Sequence, residues 1–402
     1  MTVAIMVAKK GVIYMKTNRL TEKKNDIDIA KVIASRHARC QETAEMQPNC
    51  KLDFVTKLLP LLSENDNSVI CPYGIATVLA MVAEGASEES LQEILTALGY
   101  ENLEELRKVV LSVQDVRCSA FTSDNSLVVK QGNEKMELLP SFRQIMMERY
   151  NSSITEQASD GEPSVELKNV AEFKAEWFYK MERDASHGKG FRNADGSFCH
   201  PAYLSATKEF LRYYEEDFCR VNTGVKAVAL PYMLQDERIP YELVLVDSKE
   251  PLTAESLQGI LSKMRLRKCK VVFPEFSIKN KYDLVPMMMK LGLKNIFDEY
   301  NEAFDKIATV PLYAEKFSQE AEIEVDKNGT VAKAVTTMML GKTMCMPEMI
   351  EELVFNKPFQ YFLRNTTTGE IVFMGKVNKL SDCEKQKHVD VPLPIGSLRI
   401  FG

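Results

Sequence analysis

The segment AEIEVDKNGTVAKAVTT (residues 321–337) carries the most structural information in this chain of 402 residues. Residues 321–325 alternate apolar and acidic side chains as a strand does, and residues 326–329 are typical of a turn. Because strand side chains alternate between faces, the next strand has one face of small residues: Thr330, Ala332, Ala334 and Thr336. Such a strand could slide between existing strands over a packed core without clash. The alternative is an ordinary edge strand followed by a surface loop that runs to residue 352.

The composition of the whole chain is that of an ordinary globular protein. Apolar residues make up 45% and charged residues 27%, which excludes a disordered, collagen-like or disulfide-stapled miniature protein. The formal net charge of −6 gives no overall attraction to nucleic acid or anionic lipid. No run approaches the ~20 consecutive apolar residues of a membrane helix. We therefore expect a soluble chain that partners neither nucleic acid nor a membrane.

The cysteines and histidines indicate no metal, cofactor or catalytic site. The nine cysteines include no CxxC pair and no finger spacing, so neither a zinc site nor a disulfide framework is expected. The four histidines stand beside no nucleophile, and GxSxG and HExxH motifs do not occur. Gly341-Lys342-Thr343 resembles the end of a phosphate loop, but Thr336 replaces its first glycine. We expect no cofactor, and we do not expect an enzyme.

The order of elements favours an α+β fold in a single domain. Helical spacing begins at Leu52, residues 75–85 read as a buried helix, and residues 138–150 read as an amphipathic one. Runs typical of strands follow at 225–232, 241–246, 270–278 and 371–377. Helices dominate the first half and strands the second, without regular alternation, which argues against a doubly wound sheet. We expect an N-terminal extension at 1–50, one domain at 51–380 and a tail at 381–402.

The basic run at residues 263–270 has two interpretations. Its cations could bind a polyanion. Its alternation of basic and apolar residues is also what a half-buried strand with one solvated face gives, and we favour that interpretation.

A series of short motifs over residues 52–380 resembles the serpin family, in the family's order and with compatible spacing. Residues 67–75 (NSVICPYGI) resemble its N-S/P-x-S-I opening, and Asn169 with residues 173–177 (FKAEW) resembles the central-sheet strand N-A-x-x-F-K-G-x-W, which carries Trp177. Further matches are residues 229–232 (ALPY), 273–276 (FPEF), 282–284 (YDL), 291–293 (LGL), 355–359 (FNKPF) and 373–377 (FMGKV). The resemblance assigns structural roles to Trp177, Pro358 and Phe359.

The resemblance implies a metastable monomer with three sheets, about eight or nine helices and an exposed reactive loop. In this family a serine protease cleaves the loop and forms an acyl-enzyme. The cleaved loop then inserts into the main sheet as a new strand, and the trapped protease is distorted. Strain held behind a kinetic barrier is released by strand addition.

The resemblance also suggests the reactive residues. The hinge is Gly329 with the small-faced residues Thr330, Ala332, Ala334 and Thr336. Counting fourteen residues from Gly329, as the family suggests, gives Thr343. Lys342 would suit a trypsin-like enzyme, whose acidic pocket binds a cation. The scissile bond is either Lys342–Thr343 or Thr343–Met344.

The chain departs from the family pattern at four places. The sequence has no room for the helix and return segment of about thirty residues that the family places before residues 165–177. In the sheet-opening cluster, Cys71 and Gly74 replace serines and Gln319 replaces a histidine, whereas Asn169 is retained. Lys327, Asn328 and Lys333 stand in the hinge region where acidic residues and alanine are usual. Asn328-Gly329-Thr330 forms a glycosylation sequon, as do the residues from Asn151 and from Asn365.

These departures leave two functions open. One is a serine-type endopeptidase inhibitor that acts as a suicide substrate. The other is a non-inhibitory serpin, or an inactive variant, that acts as a binding protein. The resemblance implies an extracellular location; the absence of a continuous signal-peptide core near the N-terminus leaves a cytoplasmic location as the alternative.

Overall fold

The computed structural model describes residues 50–115, 120–132, 136–152, 154–184, 190–216, 224–233, 241–330 and 351–382. Within these ranges the chain forms three β-sheets and seven α-helices, so the expected α+β architecture with three sheets is confirmed. The expectation of eight or nine helices is too high for the described residues. The direct physical reason is a short connection at residues 158–163, which holds no helix.

The helices are numbered in chain order: α1 (Cys50–Leu58), α2 (Pro72–Ala83), α3 (Glu88–Leu98), α4 (Leu103–Asp115), α5 (Pro140–Tyr150), α6 (Ala254–Lys263) and α7 (Val285–Lys290). Helix α2 is buried on every side, as its almost uninterrupted apolar sequence predicts. Helix α3 begins at the capping residue Ser87, whose side chain accepts from the Ser90 N–H, and it ends at Gly99 in the left-handed conformation with φ 77°.

The strands of the first half are β1 (Ser68–Ile70), β2 (Phe121–Lys130), β3 (Ile154–Gln157), β4 (Ser164–Phe173), β5 (Ala175–Trp177), β6 (Glu182–Arg183), β7 (Phe191–Arg192), β8 (Phe198–Cys199) and β9 (Tyr203–Glu215). Those of the second half are β10 (Lys226–Met233), β11 (Tyr241–Asp247), β12 (Arg265–Pro274), β13 (Phe276–Asp283), β14 (Tyr313–Val325), β15 (Gly329–Thr330), β16 (Glu351–Val354), β17 (Phe359–Asn365) and β18 (Ile371–Val377).

The large sheet has eleven strands, with the order β1-β18-β17-β11-β10-β9-β12-β16 and with β5, β6 and β15 joined at its side. Strand β12 accounts for most of the basic run. Arg265 and Arg267 are exposed while Cys269 and Val271 are buried, so the interpretation as a half-buried strand is confirmed.

The five-stranded sheet has the order β13-β14-β4-β2-β3, and a two-stranded hairpin of β7 and β8 is the third sheet. In the five-stranded sheet β4 and β14 run parallel as neighbours, and β13 is antiparallel to β14. Helix α2 packs against β2 and β4. One face of this sheet therefore belongs to the core, with Leu167, Phe173 and Phe317 among its buried residues.

Candidate functional site

The structure brings the four residues of the sheet-opening cluster together at the boundary between β4 and β14, which we call the seam. Asn169 on β4 and Gln319 on β14 are directly opposite each other and fully buried. The Gln319 Nε2 group donates to Asn169 Oδ1 at 2.7 Å and to the Cys71 carbonyl at 2.9 Å, while Gln319 Oε1 accepts from the Cys71 N–H at 2.8 Å. A single amide side chain thus ties both seam strands to the start of α2.

Two further residues complete this cluster, and the motif comparison did not identify them. The Asn169 amide donates to Ser123 Oγ at 2.9 Å and to Asn125 Oδ1 at 2.8 Å, both on β2. The sequence contains a signal for these two residues. Ser123 and Asn125 lie on the same face of β2 as Leu127 and Val129, which are buried, because strand side chains alternate between faces. Two polar residues on an inward face need hydrogen-bond partners. Together the contacts satisfy the hydrogen-bonding groups of both buried amides.

Gly74 is where the chain has no room for a side chain. A Cβ atom at this position would lie 2.3 Å from Asn169 Oδ1. The serine that the family has here would therefore collide with Asn169 as Asn169 is placed in this structure. Gly74 leaves the space in which Asn169 Oδ1 accepts from Gln319. The glycine at position 74 and the glutamine at position 319 are therefore compatible with each other.

Cys71 serves as the N-terminal cap of α2. Its Sγ accepts from the Gly74 N–H at 3.2 Å. Complete burial raises the pKa of the thiol from 9.0 to about 12, opposed by that hydrogen bond. The thiol is therefore neutral at physiological pH. Cys199 and Cys269, the other described free cysteines, are also buried.

The beginning of the hinge forms a tight turn organised by Asp326. The Asp326 N–H donates to the Gly329 carbonyl at 2.9 Å, and the Gly329 N–H donates back to the Asp326 carbonyl at 3.3 Å. The Asp326 carboxylate also accepts from the N–H groups of Asn328 and Gly329, at 2.7 and 3.0 Å. Gly329 has φ 146°, and a Cβ there would lie 2.1 Å from the Ala175 carbonyl oxygen, so only glycine fits.

Trp177 fixes this turn to the large sheet. Its indole Nε1–H donates to the Asp326 carbonyl at 2.8 Å. Its ring stacks on Tyr232, with centroids 4.4 Å apart and an interplanar angle of 13°. The Trp177 backbone N–H donates to the Asn328 carbonyl at 3.1 Å. The chain's only tryptophan thus contacts the turn that leads into the hinge.

Pro358 and Phe359 lie at the start of β17, away from the seam. Pro358 is half-buried just before the strand. Phe359 is buried, with its ring centroid 5.3 Å from that of Phe355 and 6.1 Å from that of Phe276. These contacts place the two residues in the core that joins the large sheet to β13.

The remaining residues of the expected site lie outside the described part of the chain. They are the hinge residues Ala332, Ala334 and Thr336 and the reactive-site residues Lys342, Thr343 and Met344. Thr330 is described through its backbone pairing with Ala175.

The missing helix has a simple geometric explanation. Gln157, the last residue of β3, and Ser164, the first of β4, both pair with Lys130 of β2, from opposite sides. Since neighbouring strands lie about 4.8 Å apart, the two ends are about 10 Å apart. Six residues, 158–163, span that gap over the end of β2. A helix inserted between residues 157 and 164 would begin and end beside the same end of β2. Its absence therefore leaves the strand order unchanged.

The outer face of the five-stranded sheet is polar. The outward residues of β4 are Glu166, Lys168, Val170 and Glu172, and those of the upper part of β14 are Ser318, Glu320, Glu322 and Glu324. Lys279 of β13 contacts Glu322 at 2.8 Å and Glu320 at 3.2 Å. This alternation of apolar and polar faces is typical of an antiparallel or mixed sheet that meets water on one side.

The three sequons differ in access. Asn365 is fully buried, and its Oδ1 accepts from the N–H groups of Thr367 and Thr368, so the folded chain presents no acceptor there. Asn151 is exposed and ends α5 with φ 48°. Asn328 is half-buried, and its amide donates to Asp326 Oδ2 at 3.0 Å.

Among the described residues no three His, Cys, Asp or Glu side chains are grouped as metal ligands would be. No helix in the same part of the chain has the length and apolar character needed to span a bilayer.

Comparison with known proteins agrees with this architecture. The family model described as Serpin (serine protease inhibitor) matches residues 50–167 and 154–380. The chain is 26% identical to Iripin-2 of Ixodes ricinus over 356 residues, covering 78% of this chain and 88% of that protein.

Two solved structures share the fold. The thermophilic serpin tengpin, in its native state, superposes with a TM-score of 0.69 at 20% identity, covering 82% of this chain and 93% of that one. Thyroxine-binding globulin in complex with thyroxine superposes with a TM-score of 0.68 at 16% identity, covering 83% and 99%. With the family model matching most of its length, the chain belongs to the serpin family.

Proposed function

We propose that this chain inhibits a serine endopeptidase as a suicide substrate, through cleavage of its reactive loop and insertion of the loop into the seam. The single observation that supports this most strongly is the assembled sheet-opening cluster. The hydrogen bond of 2.7 Å between Gln319 and Asn169 adds a buried side-chain contact to the backbone pairing of β4 with β14. Breaking a buried hydrogen bond of this kind costs free energy before any new contact forms. An inserted strand would then supply new hydrogen-bond partners. A cost that precedes the gain is a kinetic barrier.

The seam is also lined with small residues where a new strand would need room. Ala171 of β4 lies opposite Ala321 of β14, and both are buried. The hinge presents small side chains at alternate positions, from Thr330 to Thr336. A strand with those side chains directed inward would enter between the two alanines without displacing a bulky core residue.

The short connection at residues 158–163 does not argue against insertion. In the described part of the chain no helix lies over the outer face of β4, so separating β4 from β14 displaces no covering element there. The outer face is already solvated, with Lys168 exposed. A sheet with this face can accept a sixth strand whose outward residues meet water.

The proposed target is a trypsin-like protease that cleaves at Lys342–Thr343, with Thr343–Met344 as the alternative bond. A cation at Lys342 suits an acidic specificity pocket. The proposal includes a monomeric, extracellular inhibitor, which follows the family resemblance. It assigns no catalytic group to this chain, because the nucleophile belongs to the protease.

The experiment is incubation with trypsin, chymotrypsin and elastase, followed by denaturing gels and mass spectrometry. The proposal expects a band at the summed mass that survives SDS, together with release of the peptide that follows residue 342 or 343. Clean cleavage of the loop with full protease activity remaining would contradict it. The variant K342A provides the control for trypsin, because it removes the cation and leaves the hinge intact.

The alternative function is that of a non-inhibitory binding protein, and one surface feature favours it. A cleft of about 400 Å³ lies beside the ends of β9 and β12, lined by Tyr213, Tyr214, Glu215, Glu216, Lys263, Arg265 and Arg267. Its size suits a small molecule, and its three cations outnumber its two carboxylates, which favours an anionic ligand. Thyroxine-binding globulin, one structural relative, is solved with a small molecule bound. Failure of the covalent trap together with ligand binding at this cleft would support this alternative.

A further inference from the structure

The three sequons, which begin at Asn151, Asn328 and Asn365, present the same acceptor atom in three different surroundings. N-glycosylation joins that atom, the asparagine Nδ2, to C1 of the first sugar of a lipid diphosphate-linked oligosaccharide. The C1–O bond to the diphosphate breaks, the lipid diphosphate leaves and the amide nitrogen loses one proton. The attached oligosaccharide is bulky and hydrophilic, so it must project into water. Because transfer takes place on the unfolded chain during export, the fold determines which modified chains can mature.

Asn365 and Asn328 are poorly placed to carry a glycan in this fold. Asn365 is fully buried and its Nδ2 atom is enclosed at the end of β17, so an attached sugar would require space inside the core. Asn328 is half-buried, and its Nδ2 is directed at Asp326 Oδ2, 3.0 Å away. The Asn328 carbonyl also accepts from the Trp177 N–H at 3.1 Å. A sugar at Asn328 would therefore crowd the turn that leads into the hinge.

Asn151 has the opposite surroundings. It is exposed at the C-terminal end of α5, in the left-handed conformation that asparagine tolerates, with φ 48°. The backbone there is anchored, because the N–H groups of Asn151 and Ser152 both donate to the Met146 carbonyl and Ser152 Oγ donates to the Asn125 carbonyl at 3.1 Å. The Asn151 side chain itself forms no hydrogen bond with the described residues. A fixed backbone thus carries a free amide that projects into water.

We infer that Asn151 is the N-glycan acceptor of this chain, and that Asn328 and Asn365 remain unmodified in the mature protein. The inference rests on the extracellular location that belongs to the proposed function, because the lipid-linked oligosaccharide is supplied only on the export route. It adds a modification site that the inhibitory mechanism does not use.

The position of Asn151 keeps the glycan away from the seam. Asn151 lies three residues before β3, which is the end strand of the five-stranded sheet. Strands β2 and β4 separate β3 from the seam, and with neighbouring strands about 4.8 Å apart, β3 is about 10 Å from β4. A glycan that projects from this end of the sheet leaves the seam accessible. A glycan at Asn328 would instead immediately precede Gly329, where the hinge begins.

The same position gives the glycan a surface to cover. Among the described strands β3 pairs only with β2, so the other edge of β3 is free, and Thr155, Glu156 and Gln157 are exposed. Met147, one helical turn before Asn151 on α5, is 65% exposed. A free strand edge can pair with a second chain and so promotes aggregation. A hydrated oligosaccharide at Asn151 would keep a second chain from this edge.

The test directs the full chain into the secretory pathway of cultured cells with an added cleavable signal peptide. The secreted protein is treated with a peptide N-glycosidase in oxygen-18 water, which converts each glycosylated asparagine into labelled aspartate, and is mapped by mass spectrometry. We expect the label at Asn151 in most molecules and none at Asn328 or Asn365. Secreted protein with an unlabelled Asn151, or with comparable label at either other sequon, would overturn the inference.

Two controls separate the acceptor from the location and from folding. The chain without the added signal peptide is expressed in parallel; if it stays in the cell while the directed chain is labelled at Asn151, the extracellular location is overturned and the acceptor assignment stands. The variant N151G removes the acceptor and keeps a residue that adopts the left-handed conformation readily. It should be secreted without any label. Label at another asparagine in N151G would contradict the assignment of a single acceptor.

The covering role has its own measurement. Light scattering at 37 °C compares the secreted natural protein with secreted N151G at equal concentration. We expect N151G to aggregate roughly twofold faster or more, because the edge of β3 is no longer covered, while the thermal unfolding midpoints of the two proteins stay close. Equal aggregation rates would overturn the covering role and leave the acceptor assignment in place.

Discussion

Gln319 reaches across the seam and donates to Asn169 at 2.7 Å, while the same amide exchanges two hydrogen bonds with the backbone of Cys71. Three elements, β4, β14 and the start of α2, are therefore joined by one side chain. Because Gln319 is fully buried, none of these contacts can be exchanged for water without opening the sheet. This relationship makes the cluster a stabilising contact, and in the proposed mechanism the cluster forms part of the barrier to strand insertion.

Removing the Gln319 amide should weaken the seam. Q319A leaves the Cys71 N–H, the Cys71 carbonyl and Asn169 Oδ1 without these partners, so we expect the free energy of unfolding to fall by about 3 kcal/mol. A synthetic peptide with the sequence of residues 329–341 should anneal faster into Q319A than into the natural protein, because a contact that the proposal assigns to the barrier is lost. The control is S318A, at the neighbouring outward position, which should change stability by less than about 0.5 kcal/mol. Equal effects of both variants in urea denaturation would contradict this role of Gln319.

Gly74 should be intolerant of any side chain. In G74A the new Cβ displaces Asn169 Oδ1, which would lie 2.3 Å away, so the hydrogen bond to Gln319 is strained or lost. We expect a loss of about 2 kcal/mol in the free energy of unfolding. G259A is the matched control, since a Cβ at Gly259 in α6 meets nothing within 4 Å. That variant should gain about 0.5–1 kcal/mol from helix propensity, and a loss equal to that of G74A would refute the steric argument.

Trp177 should contribute to the hinge in two separable ways. W177F keeps an aromatic ring against Tyr232 but removes the indole N–H that donates to Asp326, and we expect a loss of about 1–2 kcal/mol in unfolding free energy. W177L removes the stacking as well and should cost about 3 kcal/mol or more. Thermal and urea unfolding of the two variants measures the difference. A W177F variant as stable as the natural protein would show that the indole hydrogen bond has no role in holding the turn.

The buried thiol of Cys71 should make stability fall at alkaline pH. Its pKa is about 12 in the folded chain and near 9.0 in the unfolded chain, so the unfolded state loses its proton first. The contribution is therefore fully present below about pH 9 and is lost as the pH rises toward 12. Between about pH 8 and pH 10.5 the natural protein should lose about 2 kcal/mol more than C71S. Parallel denaturation curves for the two proteins across this range would contradict the assignment.

The sequence predicted the class of fold from the order of its elements, and the resemblance to the family suggested the members of the sheet-opening cluster. Asn169 lies in a recognisable strand motif, and Gln319 occupies the position of the family's histidine on the strand before the hinge. Ser123 and Asn125 could have been suspected as polar residues at inward positions of β2. Their contacts with Asn169 could not, since these depend on how β2 pairs with β4.

The connection at residues 158–163 illustrates the limit in another way. The sequence shows that this segment is short. Only the structure shows why a short segment suffices, because Gln157 and Ser164 pair with Lys130 of β2 from opposite sides.

The most direct test of the whole account is the thermal unfolding of the intact and the loop-cleaved protein, with the cut mapped between residues 340 and 350. Insertion adds a strand of about twelve residues to the five-stranded sheet, so the account predicts a rise in the unfolding midpoint on the order of 10 °C or more. An unchanged or lower midpoint after cleavage would show that the seam does not accept the loop, and the proposed inhibitory mechanism would be wrong.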